Sequence, residues 1–159
     1  MLTRELKFLI VPALAIYTGI AAQAYPQYEK EICNLGWEHY HHQHREAEYQ
    51  HAWCSMNDGI EEYENADYTR VDCLTPTHAV EFDFWHKWAE SIGQALHYGY
   101  MTGKKPKVVL ILENPKRQMC YYYRVKKLSK KYKFDVEYIT PEILQSCKQE
   151  VTGNNNNHN

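Results

Sequence analysis

The run Val108-Val109-Leu110-Ile111-Leu112, entered from Lys104-Lys105-Pro106, limits the fold more than any other segment. Five successive apolar β-formers leave no face for water, which predicts a strand covered on both sides, the mark of a central strand in an α/β sheet. Before it, Trp85 to Tyr100 repeats Trp88, Ile92, Ala95 and Leu96 at helical spacing and ends near Gly99 and Gly103, a helix long enough to carry the chain across a sheet. The segment before that, His78 to Phe84, alternates in the manner of a strand. Strand, helix and buried strand in succession make a crossover, so the expected class is α/β, a mixed sheet with helices on both faces.

The remaining elements fit that frame. Asp58-Gly59 marks a turn, and Ile60 to Tyr63, Thr69 to Leu74 and His78 to Phe84, separated by Asn-Ala-Asp and Thr-Pro-Thr, predict a three-stranded antiparallel meander. Glu29 to Trp53 reads as one helix or two short ones, Lys116 to Tyr132 as a basic helix, Phe134 to Ile139 as a strand, and Pro141 opens a last helical turn. The predicted order is α, β, β, β, α, β, α, β, α.

The first 24 residues have the form of a secretory signal: Arg4 and Lys7, an apolar run from Phe8 to Ala22, and the small-x-small sequence Ala22-Gln23-Ala24. The expected organisation is a signal peptide over 1–24, one domain over 25–150 and a disordered Asn-rich tail over 151–159. The expected location is periplasmic or extracellular, with no stable membrane insertion after cleavage. With 159 residues, 14 Tyr and 4 Trp, the chain is long and aromatic enough for one core, and 7 Gly and 6 Pro exclude collagen-like or Pro-rich structure. All five cysteines follow the signal. In an oxidising compartment they allow two bridges and one thiol left over. Cys54–Cys73 is the favoured pair, with Cys33 able to take either place. The absence of CxxC speaks against a thioredoxin-type site or a zinc ribbon.

Charge is unevenly divided. Tyr25 to Gly103 holds 14 acids and 4 bases, net −10, whereas Lys104 to Lys133 holds 1 acid and 11 bases, net +10. Such asymmetry points to an anionic partner, nucleic acid among them, and makes Lys104, Lys105, Lys116, Arg117 and Arg124 candidate phosphate contacts, interleaved with Tyr121, Tyr122 and Tyr123.

The chemistry-bearing pattern lies in the meander. A period of two sends Val80, Phe82 and Phe84 to one face of their strand and Glu81 and Asp83 to the other. Two like charges on a half-buried face call for a cation between them. Asp72, on the preceding strand, converges on Glu81 if the two strands pair, giving an oxygen-lined site suited to Mg²⁺ or Mn²⁺. Lys87, Ser91, Gln94 and Tyr98 then follow at i, i+4, i+7 and i+11 along one side of the crossover helix. Ammonium, amide and phenol over a carboxylate-bound metal can hold a phosphodiester and orient water.

Asp72, Glu81-Phe82-Asp83, Lys87 and Gln94-Ala95-Leu96-His97-Tyr98 together resemble the PD-(D/E)XK, or restriction-endonuclease-like, nuclease superfamily, including the QxxxY motif of its RecB-like branch. The order of elements over Ala47 to Tyr138 is similar too. Thr69 to Phe84, continuing through Lys87-Trp88-Ala89-Glu90 and Gln94-Ala95-Leu96, also resembles a group of small exported bacterial proteins. The superfamily resemblance implies a restriction-endonuclease-like α/β sandwich and metal-dependent phosphodiester hydrolysis. It makes Asp72 and Glu81 metal ligands with the Phe82 carbonyl as a third, gives Gln94 and Tyr98 supporting roles, and assigns an acid on the first helix to Glu48, with Glu46 or Glu62 as alternatives. Two positions depart from the motif: Asp83 stands where it has Lys, and Val71 where it has Pro. Either Lys87 replaces that lysine from the following helix, or Asp83 helps hold a second ion, or the site binds without cutting.

His39, His41, His42 and His44 are read as a solvated helix face. His78 and His86 flank the acids and have the right chemistry for proton transfer or for strand-end packing.

Overall fold

A computed structural model describes residues 41–145. The segment expected to be a signal peptide, Cys33, Trp37, His39, Cys147 and the Asn-rich tail lie outside the described residues. The elements are α1 (Glu46–Met56), β1 (Ile60–Glu64), β2 (Arg70–Leu74), β3 (His78–Phe84), a 3₁₀ turn (Trp85–Lys87), α2 (Trp88–Thr102), β4 (Lys105–Ile111), α3 (Pro115–Tyr132) and β5 (Asp135–Ile139).

The five strands form one sheet in the order β1-β2-β3-β4-β5. β1–β2 and β2–β3 are antiparallel, β3–β4 and β4–β5 parallel. The meander and the α2 crossover are therefore as the sequence predicts, and the class is α/β with a mixed sheet. β4 is the central strand its composition demands. Val109 and Ile111 pack on one face with Tyr49 and Trp53 of α1 and with Val80, Phe82 and Phe84. Val108 and Leu110 pack on the other with Ala95 of α2 and Val125 of α3. One helix thus covers one face and two cover the other, each held by burial of apolar side chains.

Boundaries differ where capping geometry overrides periodicity. The crossover helix proper starts at Trp88 after the 3₁₀ turn and runs to Thr102, where Gly103 adopts a left-handed φ of 67° and ends it. β1 is exposed along its whole length; it is an edge strand that meets α1 through polar contacts, Gln50 with Glu62 and His51 with Glu61. Among the described residues no helix is long and apolar enough to cross a membrane.

A disulfide joins Cys54 at the end of α1 to Cys73 in β2, with Cα atoms 5.8 Å apart. Cys120 on α3 is also disulfide-bonded. The 54–73 bridge fastens α1 to the meander, and Gly59 passes against it so closely that an added Cβ would lie 2.2 Å from the Cys73 Sγ. Closing a loop of 19 residues stabilises by about 3 kcal/mol through the unfolded chain. The double change Cys54→Ala/Cys73→Ala is expected to lower the unfolding free energy by roughly that amount in urea titration. Gly59→Ala is expected to destabilise the oxidised protein and to cost much less in the Cys54→Ala/Cys73→Ala background, because the obstructing sulfurs are then gone.

Candidate functional site

β2 and β3 are paired at Cys73↔Val80 and Leu74↔Ala79, and the pairing stops there. At the next position the Asp72 side chain takes the place of a backbone acceptor: the Phe82 N–H donates to Asp72 Oδ2 at 2.7 Å. Alternation slips at the same point. Val71 and Leu74 both pack with Ala79 and Tyr98, while Cys73 between them joins the α1 side of the core. The hairpin therefore opens at Asp72, with the disulfide one residue away holding the strand. From α1, the Gln50 amide donates to the Asp72 carbonyl at 2.7 Å and to Glu62 Oε1 at 2.9 Å.

Four carboxyl groups meet over this opening. Asp72 and Glu81 lie close enough to act on each other directly, as do Glu46 and Asp83. Glu81 is 3% and Asp83 2% exposed, and Glu81 Oε2 is buried with no hydrogen-bond partner. Lys87 is the nearby cation, its Nζ 3.3 Å from Asp83 Oδ1. Burial raises the pKa values of these carboxyls most, and their mutual repulsion adds to it. Asp72 is pushed up to about 6, in spite of the Phe82 N–H, and Asp83 to about 7, by burial and Glu46 against the pull of Lys87. Glu81 is raised far above the ordinary carboxyl range by burial and by Asp72. Desolvation raises Glu46 as well.

The crossover helix packs on β3 and brings Tyr98 near these acids. Tyr98 is buried against Val71 and Ala79, and its phenol is raised by burial and then by Glu81 and Asp72. Ser91 turns its hydroxyl back to the Trp88 carbonyl at 2.9 Å. Gln94 is half-buried on the same helix. Lys87 stands beside Asp83, so a lysine does approach the site from the element after β3.

Other expected residues lie elsewhere. Glu48 accepts from the Arg45 N–H at 3.1 Å and lies 3.2 Å from His44 Nδ1, capping α1. The α1 acid that reaches the strand carboxyls is Glu46. Its spacing to Gln50, i to i+4, is the pattern that puts both on one helix face, and Gln50 itself carried no chemical signature beyond that spacing. Lys104 and Lys105 sit at the start of β4, beside His78 at the opposite end of β3; Lys105 pairs with Asp135 at 2.7 Å and Lys104 donates to the Pro76 carbonyl. Lys116 and Arg117 open α3, and Arg124 lies over the rings of Trp88 and Tyr121. His78 bonds Asp135 at 2.9 Å, a strand-end role. Residues 42–44 belong to a non-helical segment fastened by the Glu113 carboxylate, which receives His42 Nδ1 at 2.9 Å and the Gln43 N–H at 3.0 Å. This segment, with Glu46 and Phe84, borders a cavity of about 440 Å³ next to the acids.

Among the described residues no group of three or more His, Cys, Asp or Glu side chains is arranged as a ready metal site. Comparison with protein-family models, curated proteins and solved structures gave no match.

Carboxyls that titrate higher in the folded chain than in the unfolded one contribute most below their unfolded value and lose that contribution as pH rises through the folded one. Stability in chelator is therefore expected to fall between about pH 4 and pH 7, from the ordinary Asp value up through the raised values of Asp72 and Asp83. Asp83→Asn should flatten part of this slope and raise the melting temperature at pH 8, both read by thermal unfolding against pH.

Proposed function

We propose that the protein hydrolyses phosphodiester bonds of nucleic acid with the help of a divalent cation, Mg²⁺ or Mn²⁺, at the Asp72–Glu81 pair. The observation that carries the reading is the buried, unpartnered Glu81 Oε2 beside Asp72 at the opening of the β2–β3 hairpin. A carboxylate in that position needs a proton or a cation. The donor set fits a hard ion, since Mg²⁺ is commonly held by one or two carboxylates and keeps several waters. Asp72 and Glu81 are the ligands in this reading, with Glu46 and Asp83 close enough to add charge. When bound, the cation supplies Lewis acidity and a more acidic water.

The chain's own residues supply the rest. Lys87, held at Asp83, is the positive group available to a phosphate oxygen, and takes the part that the resemblance to PD-(D/E)XK nucleases gives to a strand lysine. Tyr98 lies near Glu81 and Asp72, and Gln94, one turn earlier on the same helix, is the amide assigned in this reading to orienting the strand to be cut. α2 and the α1 layer shield the carboxyls from bulk water, which strengthens every one of these interactions. The disulfides suit an oxidising compartment, in keeping with export to the periplasm or beyond.

A second reading, binding without cleavage, is favoured by one observation: Asp83 already neutralises Lys87. The two separate cleanly. Purified protein incubated with single- and double-stranded DNA and with RNA is expected to cleave at least one of them in Mg²⁺ or Mn²⁺ and none in EDTA. Glu81→Ala should lower the rate by roughly two orders of magnitude or more. Equal cleavage by Glu81→Ala would remove the proposal, and binding with no cleavage in either metal would install the second reading. Independently of turnover, Mg²⁺ should raise the melting temperature at pH 8, and Glu81→Gln should abolish that rise.

A further inference from the structure

α3 carries seven bases and no acid over Pro115–Tyr132. Three lysines elsewhere are neutralised: Lys87 by Asp83, Lys105 by Asp135 and Lys107 by Glu137. On α3 the pattern changes. Among the described residues Lys116, Lys126, Lys130 and Lys131 pair with no carboxylate, and two of them lie over aromatic rings, Lys126 over Tyr122 at 5.6 Å and Lys131 over Tyr132 at 5.4 Å. A ring face orients an ammonium and leaves its charge intact. Gln118, Val125 and Ser129 turn inward, whereas Lys116, Tyr123, Lys127 and Lys130 recur on the outward face. An 18-residue helix of this kind offers a cationic strip about 27 Å long.

The strip is joined to the acid site. Lys87 touches Asp83, and the next residue, Trp88, carries the Arg124 guanidinium at 5.8 Å, with Tyr121 on the same guanidinium at 4.9 Å. Lys87 and Trp88, adjacent in the chain, thus link the carboxyl cluster to Arg124 of α3.

We infer that the outward face of α3, entered through the Trp88–Arg124–Tyr121 stack, is the track that holds the phosphodiester backbone of a nucleic acid leading to or from the acid site. Unneutralised cations at helical spacing match a polyanion, and they bind by releasing its counterions. This rests on the nuclease-like reading for its ligand, but binding is separable from cleavage.

Fluorescence anisotropy of a labelled single-stranded oligonucleotide and of its duplex, titrated with protein in EDTA at several salt concentrations, tests it. Affinity should fall steeply with salt. The triple variant Lys126→Gln/Lys130→Gln/Lys131→Gln should bind about ten-fold more weakly or worse, with its log–log salt slope on the single strand reduced by about 2. The corresponding triple Lys→Arg variant should bind as the parent does, which guards against misfolding as the cause. Glu81→Ala should bind as the parent does while cleaving roughly two orders of magnitude or more slowly in Mg²⁺. Unchanged affinity and slope in the Gln variant overturn the inference while leaving cleavage untouched, as does binding to vesicles of anionic phospholipid in place of either nucleic acid. Cleavage that fails while α3-dependent binding persists overturns the nuclease reading alone.

Discussion

The structure turns on the burial of two carboxyl groups, Glu81 and Asp83, on one face of a strand whose other face belongs to the main core. Burying like charges is costly, and a sheet can hold them only if something supplies protons, hydrogen bonds or counter-charge. Here the compensation is partial. Asp83 has Lys87 and Glu46, while Glu81 has Asp72 on one side and an unsatisfied oxygen on the other. The apolar face of β3, packed against Tyr49, Trp53, Val109 and Ile111, holds the strand in place despite that cost. A polar arrangement kept at a cost to stability is what a binding or catalytic site needs and what a purely structural sheet avoids.

The surroundings keep the cluster together. The Cys54–Cys73 bridge and the Gln50 amide tie α1 to β2 at Cys73 and at the Asp72 carbonyl, so the opened end of the hairpin is held by a covalent link and by hydrogen bonds rather than by a continued ladder. The Phe82 N–H, which would otherwise seek a strand partner, is spent on Asp72. Backbone satisfaction and site geometry are therefore the same interaction, and weakening one disturbs the other.

Charge is sorted by layer. Acids gather where α1, β2 and β3 meet, and cations on the outer face of α3. The near-neutral total conceals this, since opposite charges kept on separate elements create a field that a well-mixed surface would cancel. Contact between the two regions runs through Lys87 and Trp88, a short 3₁₀-to-helix junction where the chain leaves β3.

Local pattern was enough to decide a good deal. The apolar run in β4, the alternation in β3 and the spacing in α2 follow from how side chains distribute around a strand or a helix, and they imply the order of elements, the mixed sheet, the shared face of Glu81 and Asp83, and the helix above them. Cys54–Cys73 was legible as one of several pairings. Which acid of α1 reaches the site was not legible, because Glu46 and Glu48 are equally acidic and only the angle at which α1 docks on the sheet separates them. The opening of the hairpin at Asp72 was also hidden: a strand pattern predicts continued pairing, and the slip arises from a side chain outcompeting a backbone carbonyl for one N–H. Periodicity fixes which way a residue faces within its own element, whereas distances between elements are set by packing, and the meeting of Glu46, Asp72, Glu81, Asp83 and Lys87 belongs to the packing.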